Sequence, residues 1–117
     1  IHYRATHYLG TVGGNTDDMR LALSMCAEGK IDPSGMITHV GGLDSAAEAT
    51  LHLPEIPGGK KLIYTQVAMP LTAISDFAAL GKDDAFFAAL AEITAQHGGI
   101  WCAEAEQYLL AHAPKIQ

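Results

Sequence analysis

Thr11-Val12-Gly13-Gly14-Asn15 stands where a β-rich run meets a helix start, and its residue types suit a ligand read by backbone. Glycines let a main chain approach a bound group closely, and N–H groups at a helix start attract phosphate or a carboxamide oxygen. The spacing is neither GxGxxG nor the GxxxxGK of a phosphate loop. The same residues also suit a plain tight βα turn in which Gly supplies a positive φ. The six histidines (His2, His7, His39, His52, His97 and His112) show no HxH, HxxxH or HExxH spacing. Nothing local therefore points to zinc, and each reads as a surface or half-buried side chain. Cys26 falls on the apolar stripe of a helix, where a small buried hydrophobe explains it. Asp17-Asp18 and Asp83-Asp84 both open helices, so capping accounts for these paired carboxylates. Lys60-Lys61 beside Gly58-Gly59 could meet an anion but reads as a solvated strand start, and Trp101 with Tyr108 reads as core packing. These residues predict no catalytic centre and no metal site.

The elements that would position such groups follow from pattern. Residues 1–12, IHYRATHYLGTV, favour a strand. Asn15 then caps a helix, with Asp18 three residues on and Asp17-Asp18 at the positive end of its dipole. Met19, Ala22, Leu23, Cys26 and Ala27 recur at helical spacing, which predicts a buried face; Gly29, Lys30 and Pro33 end the helix. Residues 35–40, GMITHV, read as a strand closed by Gly41-Gly42. A helix follows from Asp44 or Ser45, with Ser45 and Glu48 as a capping box, to about His52. Residues 60 to about 67 read as a third strand. Pro70 opens a helix towards Leu80 that ends at Gly81. Asp83 caps another, whose broad face holds Phe86, Phe87, Leu90, Ile93 and Thr94 and which ends at Gly98-Gly99. A last helix runs from about Ala103 to His112. The expected class is mixed α/β, three or so short strands interleaved with helices and then a helical tail.

Composition narrows the partners. The chain has 117 residues, which suits one domain, and its net charge of −6 with scattered basic residues disfavours nucleic acid and anionic membrane surfaces. An apolar fraction of 49% is enough to bury a core. No apolar run approaches the ~18 residues of a membrane span. Cys26 and Cys102, without CxxC spacing, read as reduced thiols, and the expected location is the cytoplasm. The opening Ile1-His2-Tyr3, with no initiator Met and already inside a β-rich run, reads as the interior of a longer polypeptide.

Three segments, HYLGTVGGNTDDMRLALSMCAEGKID, MITHVGGLDSAAEATLHL and GGKKLIYT, resemble in order and spacing the C-terminal stretch of zinc-type medium-chain alcohol dehydrogenases. The resemblance covers about residues 7–65. Within that family the GGNTDDM turn, LPEIPGGKKLIYT and the tail MPLTAI…GIW…AEAEQYLL are most similar to the polyol and sugar-phosphate branch, although the tail from about Met69 departs from the usual family ending. The resemblance implies a fragment of a Rossmann-plus-catalytic-domain enzyme. Residues 1–32 would be the last strand and helix of the coenzyme region, 33–68 the returning part of the catalytic domain, and 69–117 a helical tail. It implies reversible hydride transfer between a secondary alcohol and NAD(P), with zinc as Lewis acid. The substrate would be a sugar, polyol or sugar phosphate such as L-sorbose 1-phosphate.

By motif position the resemblance places main-chain binding of the nicotinamide carboxamide at Thr11 and Val12, with Gly13 and Gly14 shaping the turn. Zinc ligands, proton-relay residues and the dinucleotide glycine motif have no counterpart in these residues, so no catalytic residue carries over and the isolated chain is expected to be inactive. Arg4, Lys60 and Lys61 are phosphate partners by charge alone. Homo-oligomerisation is expected, since strand 1–12 would lie at a sheet edge. A second reading keeps the chain as a self-contained α+β interaction module that binds a partner through its Ala-rich helices.

Overall fold

The computed structural model describes Gly10 and residues 12–116. The strand expected over residues 1–12, with Arg4 and Thr11, falls almost wholly outside them. The chain divides into two compact units, Ile1–Asp32 and Pro33–Gln117.

In the first unit α1 spans Thr16–Ala27. Asn15 Oδ1 accepts from the N–H groups of Asp17 (2.8 Å) and Asp18 (3.1 Å), and Asp18 Oδ2 accepts from Asn15 N–H at 2.8 Å. This is the reciprocal cap that the sequence predicts. The helix ends at Glu28, followed by Gly29 with φ +69°. The predicted buried face is absent: no residue of α1 is buried, and Met19 and Leu23 are 69% and 71% exposed. Periodicity reports an apolar stripe, and burial needs a second surface to cover it.

In the second unit β1 (Ile37–Gly42) is the centre of a three-stranded sheet in the order β2-β1-β3. It pairs parallel with β2 (Lys60–Tyr64) and antiparallel with β3 (Thr72–Ala73). A parallel pair needs a crossover, and α2 (Ala46–Leu51) lies within it. Gly41 and Gly42, expected to close the strand, belong to it. Gly42 N–H donates to Met69 O at 2.8 Å, and a Cβ there would sit 2.2 Å from Val67 O, so only glycine admits the segment that follows β2.

The Ser45–Glu48 capping box does not form. A 3₁₀ turn over Leu43–Ser45 precedes α2, Ser45 Oγ donates to Gly42 O (2.8 Å), and Asp44 Oδ1 accepts from Met69 N–H (2.9 Å). Nor does Pro70 open a helix: residues 72–73 pair with β1, a 3₁₀ turn follows at Ile74–Asp76, and α3 is confined to Phe77–Leu80. Long-range pairing with Val40 outcompetes the local helix signal. The third strand stops at Tyr64, where Val67 N–H turns back to Tyr64 O (3.2 Å) before Val67 bridges to Lys115.

Helix α4 (Ala85–Gln96) is capped by Asp84 rather than Asp83, through Phe86 N–H to Asp84 Oδ1 at 2.8 Å. Helix α5 is Ala103–His112, as expected. Leu90 and Thr94 of α4 and Ala105 and Leu109 of α5 close over Val40, Val67 and Phe77. The ring of Phe77 lies 5.8 Å from Phe87 and 6.4 Å from Trp101. The strands and the helical tail therefore share one core. Among the described residues no helix is long and apolar enough to cross a membrane.

Candidate functional site

Four places carry groups capable of chemistry. The first is the turn before α1. Of its four predicted residues, Thr11 lies outside the described ones, Val12 is fully exposed, and Gly13 has φ +79° with nothing within 4 Å of where a Cβ would stand. The main chain at Gly13 is thus open to a flat group. The helix start behind it is not an anion site: the caps of Asn15 and Asp18 already use the first N–H groups, and Asp17 and Asp18 add negative charge there. That acidic, capped start disfavours a pyrophosphate there.

The second is a cleft of about 580 Å³ beside β1 and α2, lined by His39, Asp44, Glu48, His52 and Asp76 among others. Its carboxylates make it unsuited to a phosphorylated ligand. His52 sits between Glu48 (3.3 Å) and Glu55 (3.2 Å), all exposed. His39 is half-buried, its Nδ1 2.9 Å from Thr38 Oγ1. Burial pushes its pKa below the ordinary histidine value, the Lys61 charge adds to this, and Asp76 opposes it.

Lysine 61 is not the solvated strand start that the sequence suggests. Its Nζ donates to the carbonyls of Ile56 (3.1 Å), Pro57 (3.0 Å), Gly58 (3.4 Å) and Gly59 (2.9 Å), so the ammonium holds the turn into β2. Of the three phosphate candidates, Arg4 lies outside the described residues, Lys61 is engaged and Lys60 is exposed.

The third place is a buried polar relay. Trp101 Nε1 donates to Tyr64 Oη at 3.0 Å, and Tyr64 Oη donates to Glu106 Oε2 at 2.6 Å. Burial first, then the bond to Glu106, raises the Tyr64 pKa far above its ordinary value, so the phenol stays neutral. Trp101 is buried and Tyr108 packs half-buried on Phe86, as core packing predicts, but the relay joining β2 to α5 was not legible. This is a structural tie.

The fourth joins the end of α4 to the start of α5. The ligand atoms of His97, Cys102 and Glu104 all lie within 4.8 Å of one another, and His97 Nε2 is 3.5 Å from Glu104 Oε2. The Glu104 carboxyl is held below the usual range by its own backbone N–H, then by the Cys102 thiol and the His97 charge. The histidine spacing predicts no metal site, and the H-x₄-C-x-E spacing matches no common ligand pattern. This trio is the one such cluster among the described residues, and it lies in the tail, outside residues 7–65. Within 7–65 no described group fits the Lewis-acid zinc that the resemblance implies.

Over almost its whole length the chain is similar to proteins named for reducing or oxidising a phosphorylated sugar or polyol. It is 49% identical to L-sorbose 1-phosphate reductase of Klebsiella pneumoniae over 116 residues, covering 99% of this chain and 26% of that protein. It is 50% identical to mannitol-1-phosphate 5-dehydrogenase of Aliivibrio fischeri over 110 residues, 94% of this chain and 26% of that one. It is also 56% identical to the uncharacterized protein YggP of Escherichia coli over 111 residues, 95% of this chain and 26% of YggP. The chain thus spans about a quarter of the length of the curated relatives it matches. No protein-family profile matches it. No solved structure matches it significantly.

Proposed function

We propose that these residues are the C-terminal quarter of an NAD(P)-dependent oxidoreductase acting on a sugar or polyol phosphate such as L-sorbose 1-phosphate. The single observation that carries this is the 49–50% identity to a reductase and a dehydrogenase of such substrates over at least 94% of the chain. Residues 1–32 end the coenzyme region, 33–68 return to the catalytic domain, and 69–117 form the tail that packs on it. A bound nicotinamide supplies the hydride acceptor or donor. The part played by this chain is to present the main chain of Thr11 and Val12 to its carboxamide, with Gly13 and Gly14 shaping the turn. The capped, acidic start of α1 directs phosphate elsewhere. Zinc, if the whole enzyme uses it as its resemblance to the medium-chain family implies, is held there by residues outside this chain.

On this reading the 117 residues alone are catalytically silent and self-associate through the edge strand at 1–12, and the whole enzyme is cytoplasmic. A steady-state assay of NADH and NADPH oxidation with L-sorbose 1-phosphate tests this. The free chain is expected to show no turnover, and the in-frame longer gene product is expected to show it. Turnover by the free chain, or a longer product that neither binds nor oxidises either coenzyme, overturns the reading. The second reading, an interaction module, draws on one observation: Pro33–Gln117 is a compact unit with its own core. A native start codon within a few residues of Ile1 would favour it.

A further inference from the structure

The trio at the α4–α5 junction combines three ligand types in a built geometry. His97 is the C-cap residue of α4 and Cys102 the N-cap residue of α5, with Glu104 in the first turn of α5. Gly98 (φ +69°) and Gly99 (φ +79°) reverse the chain between them, a conformation that a side chain would strain. Trp101 then fixes the return: it is 2% exposed and tied to Tyr64 Oη, which holds the adjacent Cys102 in place. Cys102 is half-buried while His97 and Glu104 are exposed, so the three ligand atoms meet at the surface with one side open to water.

We propose that His97, Cys102 and Glu104 form a zinc(II) site with water in the fourth position. Thiolate, imidazole and carboxylate are together the ligand set of zinc, whereas calcium and magnesium select oxygen alone. Zinc bonds of about 2.0–2.3 Å place tetrahedral ligand atoms roughly 3.3–3.8 Å apart. The ligand atoms, within 4.8 Å now, need to close by only about 1 Å, and the exposed His97 and Glu104 side chains are free to rotate that far. Binding displaces the thiol proton of Cys102 into solvent and leaves a thiolate on the metal. The ion would pin the end of α4 to the start of α5 at the edge of the core.

Cobalt(II), a spectroscopic stand-in for zinc, tests the site on the full 117-residue chain carrying Cys26→Ser, which removes the other thiol. We expect a thiolate-to-cobalt charge-transfer band that saturates at one equivalent and is abolished by zinc. Competition against a chromophoric chelator should show His97→Gln and Glu104→Gln each weakening zinc binding by about tenfold or more. Cys102→Ser should lose the band while keeping its far-ultraviolet circular dichroism, because serine is a favoured N-cap and α5 still starts there. The site is refuted if no saturable band appears, or if His97→Gln and Glu104→Gln bind zinc as tightly as the parent chain.

Discussion

Helix α1 and helix α4 are each twelve residues long, and each begins with a side chain that accepts from its first N–H groups. They part in what covers them. Leu90 of α4 is fully buried, with Phe77 and Leu109 in the same core, whereas no residue of α1 is buried and Met19, Leu21 and Leu23 are each at least 60% exposed. Local signals make a helix and tertiary contact buries it, and the two are separable in one chain. An apolar stripe left this open is the kind of surface that a partner covers.

The largest expected effect breaks the comparison at the core. Phe77→Ala removes a fully buried ring and should cost about 3–5 kcal/mol in denaturant unfolding of the chain. Leu23→Ala on α1 should cost no more than about 0.5 kcal/mol in the same measurement. A comparable loss from both would mean that α1 is packed. Next, Tyr64→Phe strands Trp101 Nε1 and removes the donor to Glu106; about 1–3 kcal/mol should be lost, with Trp101 fluorescence reporting the change. A neutral outcome would show the relay to be incidental.

The smallest effect is a pH dependence from His39. Its folded pKa lies below its unfolded value, so the unfolded chain binds more protons near the ordinary histidine pKa. Stability contributed by neutral His39 is present above the unfolded pKa and is lost as pH falls through it towards the folded one. The unfolding midpoint should drop between about pH 7.5 and 5.5, a window set by the ordinary histidine pKa. His39→Gln should flatten that slope, and an unchanged slope would assign it to other histidines.

Much of this fold was legible because its signals are local. Asn15 with Asp18, Gly29, Gly98-Gly99 and the Ala103–His112 helix all behave as their types dictate. What was not legible depends on partners far along the chain. Gly42 stays in a strand because Val67 and Met69 press against it, Asp44 and Ser45 are diverted from capping, and Thr72-Ala73 leave a helical reading to pair with β1. Lys61 found four carbonyls that no spacing announces. The His97–Cys102–Glu104 trio carried one faint sign: a double glycine between two helices, which forces the end of one to meet the start of the next.

As proposed, these residues are a non-catalytic quarter of a sugar- or polyol-phosphate oxidoreductase. A chimera tests it most directly. The matching quarter of Klebsiella pneumoniae L-sorbose 1-phosphate reductase is replaced by this chain, and NAD(P)H-dependent reduction of L-sorbose 1-phosphate is measured beside the free chain. The folded chimera should turn over and the free chain should not. A chimera that folds and binds coenzyme yet shows no turnover, or a free chain that turns over alone, would contradict it.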